Sequence, residues 1–139
     1  MRKPECLAAA LAVLMLSAAI VSAQAGKGSP AKPPDAAAHK QWMDDAGDAQ
    51  DDLRDALAAK SGAMVATAAA TLDKILAQTE SYWAAKHADD VVKLARDSRT
   101  LAKELGAAAK TGKFDQAGAA FGKLSALCNT CHDLHPEKR

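Results

Sequence analysis

The chain is poor in aromatic residues, proline and cysteine, and its charges nearly balance. Aromatic residues make up 4% of the sequence, so rings alone cannot fill a core. No proline lies between Asp35 and His135, and a proline-free run rich in Ala, Leu, Lys and Asp predicts helices and not strands. The net charge of +1 gives no basic surplus, which argues against nucleic acid or an anionic membrane as a partner.

Catalytic signatures are also missing from the sequence. It has no glycine loop that would cradle a phosphate, no nucleophile elbow and no second group of metal ligands. The aspartates of the first predicted helix could form carboxylate pairs, but nothing around them would raise a pKa. The sequence therefore does not predict an enzyme.

The N-terminal segment has the three parts of a secretory signal peptide. Arg2 and Lys3 form a basic start, Leu7 to Val21 is an apolar run, and Ala23-Gln24-Ala25 supplies small residues for cleavage. The apolar run is too short for a comfortable membrane span, and an uncleaved anchor is the alternative reading. The pattern predicts export to the periplasm, with no membrane span left after the signal is cleaved.

The remaining chain divides into a short leader and one domain. Residues 26–34 are rich in Gly, Pro, Lys and Ser and are predicted to form a flexible arm after the signal at residues 1–25. Residues 35–139 are long enough for one small core. Removing Arg2, Lys3 and Glu5 with the signal leaves equal numbers of basic and acidic residues, so the mature chain is close to neutral.

The two cysteines outside the signal, Cys128 and Cys131, form a C-x-x-C-H motif with His132. On a helix these three residues stand at i, i+3 and i+4 and share one face. Two thiols so spaced can form thioethers with the two vinyl groups of one porphyrin, and the histidine can then bind its iron. The motif predicts one covalently attached haem c per chain, because Cys6 leaves with the signal and no thiol remains for a disulfide framework.

Three other uses of the motif are open. A dithiol redox pair is expected beside a βαβ pattern, which the sequence lacks. A zinc site could combine Cys128, Cys131 and His132 with His135, although these four residues on one helix would hardly surround a tetrahedral ion. A disulfide between cysteines at i and i+3 on one helical turn would have poor geometry.

The apolar periodicity predicts four amphipathic helices joined by short turns, an all-α antiparallel up-down bundle with haem in its core near the C-terminal helix. Glycine and capping residues mark the breaks. The large side chains available to pack against a porphyrin are Trp42, Trp83 and Phe121. The predicted helices run from about Asp35 to about Ala59, from Ser61-Gly62 to a junction around Lys86-His87-Ala88, from a cap at Asp89 to Thr111-Gly112, and from near Asp115 through the motif.

An exported four-helix chain with C-x-x-C-H at the end of its last helix resembles the class II c-type cytochromes, which include the cytochromes c prime and their low-spin, methionine-ligated relatives. The resemblance covers residues 35–135 and implies that Cys128 and Cys131 hold the haem and that His132 is the proximal iron ligand. Pro136 stands where the family commonly has arginine, so no role of that arginine carries over.

The resemblance also implies a residue for the second face of the haem. The low-spin relatives use a methionine near the start of the first helix, and Met43 matches that position. His39, one turn earlier, is the alternative ligand, and an open position is the third reading. A thioether opposite a histidine would suit outer-sphere electron transfer.

The predicted function is therefore that of a periplasmic electron carrier that exchanges electrons with redox partner proteins, with His132 and Met43 as iron ligands. The alternative function is a five-coordinate, cytochrome c prime-like protein that binds nitric oxide or carbon monoxide. Family members often dimerise through their first two helices, so the resemblance also raises a homodimer as an expectation.

Overall fold

The computed structural model describes residues 35–136, which form an all-α four-helix bundle, as predicted. The predicted signal peptide with Cys6, the leader at 26–34 and residues 137–139 lie outside the described residues. Within residues 35–136 no helix has the length and apolar character needed to cross a membrane. The helices are α1 (Ala36–Ala58), α2 (Gly62–Ala84), α3 (Asp89–Lys110) and α4 (Phe114–Leu134).

The helix starts follow local capping chemistry in two cases out of four. Asp35 caps α1 by accepting a hydrogen bond from the Ala38 amide at 2.9 Å, and Ser61 caps α2 through a longer bond from Met64. The prediction of Asp89 as the cap of α3 is wrong. Ala88 is the capping residue, with no side-chain bond, and Asp89 begins the helix, where its carboxylate favours the positive end of the helix dipole.

Three of the helices end in the same hydrogen-bonded turn. After α1, Ser61 N–H donates to Ala56 C=O and Lys60 N–H to Leu57 C=O, which is the Schellman pattern. Equivalent pairs of bonds close α2 and α3. Each turn has one residue with positive φ: Lys60 at 49°, His87 at 58° and the predicted stop Gly112 at 73°. These turns reverse the chain within three or four residues, so successive helices run antiparallel.

Leucine and valine fill the centre of the bundle, and alanine covers most of the helix seams. The largest fully buried side chains are Leu53, Leu72, Leu105, Leu124, Val65 and Val91. Small residues bring α2 and α3 close together: a Cβ on Gly62 would stand 2.6 Å from the Ala109 carbonyl oxygen. Each helix packs along the next in sequence, whereas α1 and α4 touch at only a few points. The bundle is therefore least closely packed between its first and last helices.

Candidate functional site

A cavity of about 340 Å³ lies where α1 and α4 diverge. Its size falls within the range of small-molecule and cofactor sites. Met43 on α1 and the motif residues Cys128, Cys131 and His132 on α4 all line it, so the fold brings together the four side chains that the sequence singled out. The other lining residues are Ala46, Gly47, Gln50, Leu72, Leu76, Thr79, Val91, Leu94, Ala95, Ser98, Leu127 and Asn129.

Small residues on α1 create the space on that side of the cavity. Ala46 and Gly47 follow Met43 on the same helix face, and a Cβ built on Gly47 would meet nothing within 4 Å. Glycine within a helix costs about 1 kcal/mol relative to alanine, and at position 47 it leaves the cavity mouth free of a side chain. Gly47 and Asn129 are both exposed, so they mark the mouth of the cavity between α1 and α4.

Three polar residues of the cavity wall were missed as site residues in the sequence. Thr79 and Ser98 are buried, and the Gln50 side chain is half-buried. The Thr79 hydroxyl donates to the Ile75 carbonyl at 3.1 Å, and the Ser125 hydroxyl reaches the Gln50 amide oxygen at 3.5 Å across the α1–α4 gap. The sequence feature that could have revealed two of them is that a threonine and a serine occupy positions of the apolar pattern in the second and third helices.

The two cysteines of the motif lie half-buried in the cavity wall on one face of α4. Burial raises the pKa of the Cys128 thiol to about 11, and the neighbouring Cys131 adds to that effect. A thiol with so high a pKa is almost entirely protonated at neutral pH and is a poor nucleophile. A dithiol redox site depends on a thiolate stabilised by its surroundings, and the surroundings of Cys128 do the opposite.

The last residue of the zinc alternative points elsewhere. His135 Nε2 lies 2.5 Å from Asp90 Oδ2, so the end of α4 is tied to the first turn of α3. The hydrogen bond from His135 is the main cause that holds the pKa of the Asp90 carboxyl below its ordinary value. Among residues 35–136 there is no group of three or more His, Cys, Asp or Glu side chains that could hold a metal ion.

The geometry separates the two candidates for the second iron ligand. Met43 lines the cavity, whereas His39 does not. His39 is 6% exposed, and its Nε2 accepts a hydrogen bond from Trp83 Nε1–H at 2.9 Å. Its ring stacks on that of Tyr82, with 4.8 Å between centroids. His39 Nε2 is therefore engaged by an indole, and the side chain faces α2 rather than the cavity.

None of the three large side chains that the sequence makes available to a porphyrin lines the cavity, and ordinary core or rim positions were the alternative for each. Trp42 and Trp83 join His39 and Tyr82 in an aromatic cluster between α1 and α2, with Trp42 edge-on to Tyr82 at 6.2 Å. Phe121 packs against the apolar core. The apolar part of the cavity wall is instead aliphatic and consists of leucine, valine and alanine side chains.

Volume alone does not identify the site. A larger depression of about 800 Å³ lies along the outer side of α2 and is lined by Gly, Ala, Thr and Lys residues, with no His, Cys or Met. Only convergence of ligand-type side chains distinguishes the smaller cavity. Comparisons with the models of known protein families, with characterised proteins and with solved structures find no match to this chain.

Proposed function

We propose that this chain is an exported c-type cytochrome that carries electrons, with one haem attached through Cys128 and Cys131 and its iron bound by His132 and Met43. The observation that carries the proposal is the shared cavity. Met43 and the C-x-x-C-H motif come from opposite ends of the chain, yet both line one apolar space of cofactor size. The two thiols and the imidazole share one face of α4, so the tertiary observation is that the fold adds the Met43 thioether to the same cavity.

The residues of the cavity fit such a group by chemistry as well as by position. The Cys128 thiol is largely desolvated, which suits a thioether better than a charged thiolate. Leu72, Leu76 and Val91 supply a dry aliphatic surface for a flat apolar ring. The haem, when bound, supplies a one-electron couple between ferric and ferrous iron, and its potential depends on axial ligands and burial.

Met43 determines which kind of cytochrome the chain would be. A methionine bound opposite His132 would close the second face to small molecules and suit the protein to pass electrons to partner proteins. Without that bond the same cavity would admit nitric oxide or carbon monoxide to the iron, as the cytochrome c prime alternative requires. The position of Met43 in the cavity wall supports the carrier.

Visible spectroscopy of the purified, haem-loaded protein tests the proposal. The unmodified protein should show low-spin bands when reduced, and carbon monoxide should leave them unchanged. Replacement Met43→Leu should produce a high-spin spectrum that changes on adding carbon monoxide, because leucine keeps the apolar volume but offers no sulfur.

The matched control is Met64→Leu. Met64 is 58% exposed and does not line the cavity, so its replacement should leave the spectrum as it is. A Met43→Leu protein that stays low-spin would remove Met43 as a ligand. An unmodified protein that already binds carbon monoxide would favour the gas-binding alternative.

A further inference from the structure

The first half of α1, which carries Met43, is anchored on α2 and not on α4. The buried residues of α1 are His39, Ala46, Ala49, Leu53 and Ala56, so the only large aliphatic side chain among them is Leu53, beyond the cavity. Trp42 is partly buried and packs against the core, whereas contacts between α1 and α4 are few. The position of the Met43 turn therefore depends on the contacts that His39 and Trp42 make with α2.

The side chains that hold it are polar and aromatic. The Trp83 indole donates to His39 Nε2 at 2.9 Å, and the His39 ring lies on Tyr82 at 4.8 Å with 17° between planes. Trp42, the residue before Met43, stands edge-on to the same Tyr82 ring. Lys86 covers the outer side, with its Nζ 4.7 Å from the Tyr82 centroid. Together these contacts join the first turns of α1 to the last turns of α2.

We propose that His39 is a positioning residue, which accepts the Trp83 hydrogen bond and so holds Met43 over the cavity. His39 and Met43 are at i and i+4, so they stand on the same face of α1 one turn apart. A bond that fixes the His39 ring against α2 therefore fixes the turn from which Met43 projects. This inference rests on the proposed function, because it assigns to His39 the task of keeping Met43 at the iron.

The role of the hydrogen bond from Trp83 to His39 can be tested by replacing only the acceptor side chain. Nε2 must be unprotonated to accept from an indole N–H, and this partly buried hydrogen bond links α1 to α2. In His39→Gln the side-chain amide oxygen can accept in place of Nε2. In His39→Leu the volume is retained but no acceptor remains.

The first measurement is amide hydrogen exchange across α1, which is independent of iron chemistry. We expect His39→Leu to raise exchange in residues 36–44 by about tenfold or more, because loss of the hydrogen bond between α1 and α2 favours local opening, with little change in residues 47–58. His39→Gln should stay close to the unmodified protein. Equal exchange in the Gln and Leu variants would overturn the proposal.

The second measurement is carbon monoxide binding to the reduced, haem-loaded variants. Detachment of Met43 exposes the iron for part of the time, so His39→Leu and Trp83→Phe should bind carbon monoxide about tenfold more tightly than His39→Gln. Val65→Ala is the control for general destabilisation, since Val65 is fully buried and lies outside the cavity. It should lower stability without any gain in carbon monoxide binding.

The two measurements keep the proposals apart. If His39→Leu loosens residues 36–44 but carbon monoxide binding equals that of His39→Gln, His39 anchors α1 without positioning Met43 and the inference fails. If Met43→Leu alone leaves the spectrum unchanged, the ligand assignment in the proposed function fails, whatever the exchange data show. If Val65→Ala raises carbon monoxide binding as much as His39→Leu does, the effect is general instability and the inference is again overturned.

Discussion

The most informative single side chain at the site is that of Cys128. Its thiol pKa, raised to about 11 by burial, leaves very little thiolate at neutral pH. In chain made without haem attachment, and with Cys131→Ser to isolate the remaining thiol, burial still raises the Cys128 pKa, so alkylation by iodoacetamide at pH 7 should be about tenfold or more slower than that of an unperturbed cysteine. The rate should still be rising with pH at pH 10. Alkylation at the rate of an exposed thiol would contradict the burial of Cys128.

Substitutions of Gly47 test whether haem attachment needs the cavity. Because a Cβ there meets nothing within 4 Å, Gly47→Ala should stabilise the haem-free chain by about 1 kcal/mol through helix propensity, measured by urea unfolding. Gly47→Leu should instead lower the fraction of chain that carries covalent haem, since its side chain would enter the cavity mouth.

Gly118 provides the comparison for Gly47. It lies on the exposed side of α4 with equally open space, and it is not part of the cavity wall. Gly118→Leu should therefore leave haem attachment unchanged. Equal haem loading in Gly47→Leu and Gly118→Leu would mean that the space beside Gly47 is not used.

At the residue scale the sequence predicted the ligand-type side chains but not their surroundings. C-x-x-C-H is a local pattern, so its three residues were visible at once. The environment of His39 was not, because it depends on Trp83, which is distant in sequence and meets His39 only when α2 packs on α1. The polar wall residues Thr79 and Ser98 were likewise hidden among apolar positions.

Two of the turns that follow the helices contain backbone strain that a glycine substitution would relieve. Lys60 and His87 hold φ values of 49° and 58°, a region in which a Cβ costs about 1 kcal/mol. Lys60→Gly should therefore stabilise the protein by roughly 0.5–1 kcal/mol, whereas Gly112→Ala, at a φ of 73°, should destabilise it by about as much. Urea unfolding midpoints measure both changes.

The same replacement of lysine by glycine should destabilise the protein when it is made within a regular helix. Lys123 is exposed and lies within α4, where Lys123→Gly should cost about 1 kcal/mol. If Lys60→Gly destabilises the protein as much as Lys123→Gly does, the left-handed turn after α1 is not formed in solution.

An ion-pair cluster joins α2 to α3 and gives a pH-dependent contribution. Arg99 donates to Glu80 at 2.7 Å and to Asp73 at 2.9 Å, and Arg96 also reaches Glu80. The hydrogen bond from Arg99 is the main cause that lowers the pKa of the Glu80 carboxyl, while partial burial opposes it. The unfolded chain then binds more protons than the folded one around and below pH 4.5, so this stabilisation is present above that pH and is lost as the pH falls.

Replacement of the Glu80 carboxylate should reveal this dependence of stability on pH. Glu80→Gln should cost about 1 kcal/mol at pH 7, since the cluster is only partly covered from water, and the difference from the unmodified protein should shrink below pH 4.5. Glu104→Gln, at an exposed glutamate on α3, should cost little at either pH. A Glu80→Gln penalty that stays constant down to pH 3 would contradict the assigned role of Arg99.

At the scale of elements, the sequence predicted most boundaries because they depend on local chemistry. Gly112 closes α3, and Asp35 caps α1, as their residue types require. Asp89 failed as a predicted cap because α3 begins one residue earlier than such a cap would allow, so Ala88 takes the capping position and Asp89 lies in the first turn. The left-handed residue His87 stands directly before Ala88.

At the scale of the whole molecule, the arrangement of the helices determines where a cofactor could lie. Periodicity and short turns were sufficient to predict the bundle, because short connections leave antiparallel neighbours as the available arrangement. The sparse packing between α1 and α4 was not predictable, since it depends on how all four helices pack and not on a local pattern. That sparse packing leaves the cavity, and the cavity connects Met43 with Cys128 and His132.

The central claim is covalent haem on α4, and the most direct test is the intact mass of the chain exported from cells that also contain haem-attachment machinery. Under denaturing conditions the account predicts one species that carries a single haem, with neither Cys128 nor Cys131 available to a thiol reagent. A correctly processed, colourless chain of unmodified mass, with both thiols reactive once unfolded, would contradict it.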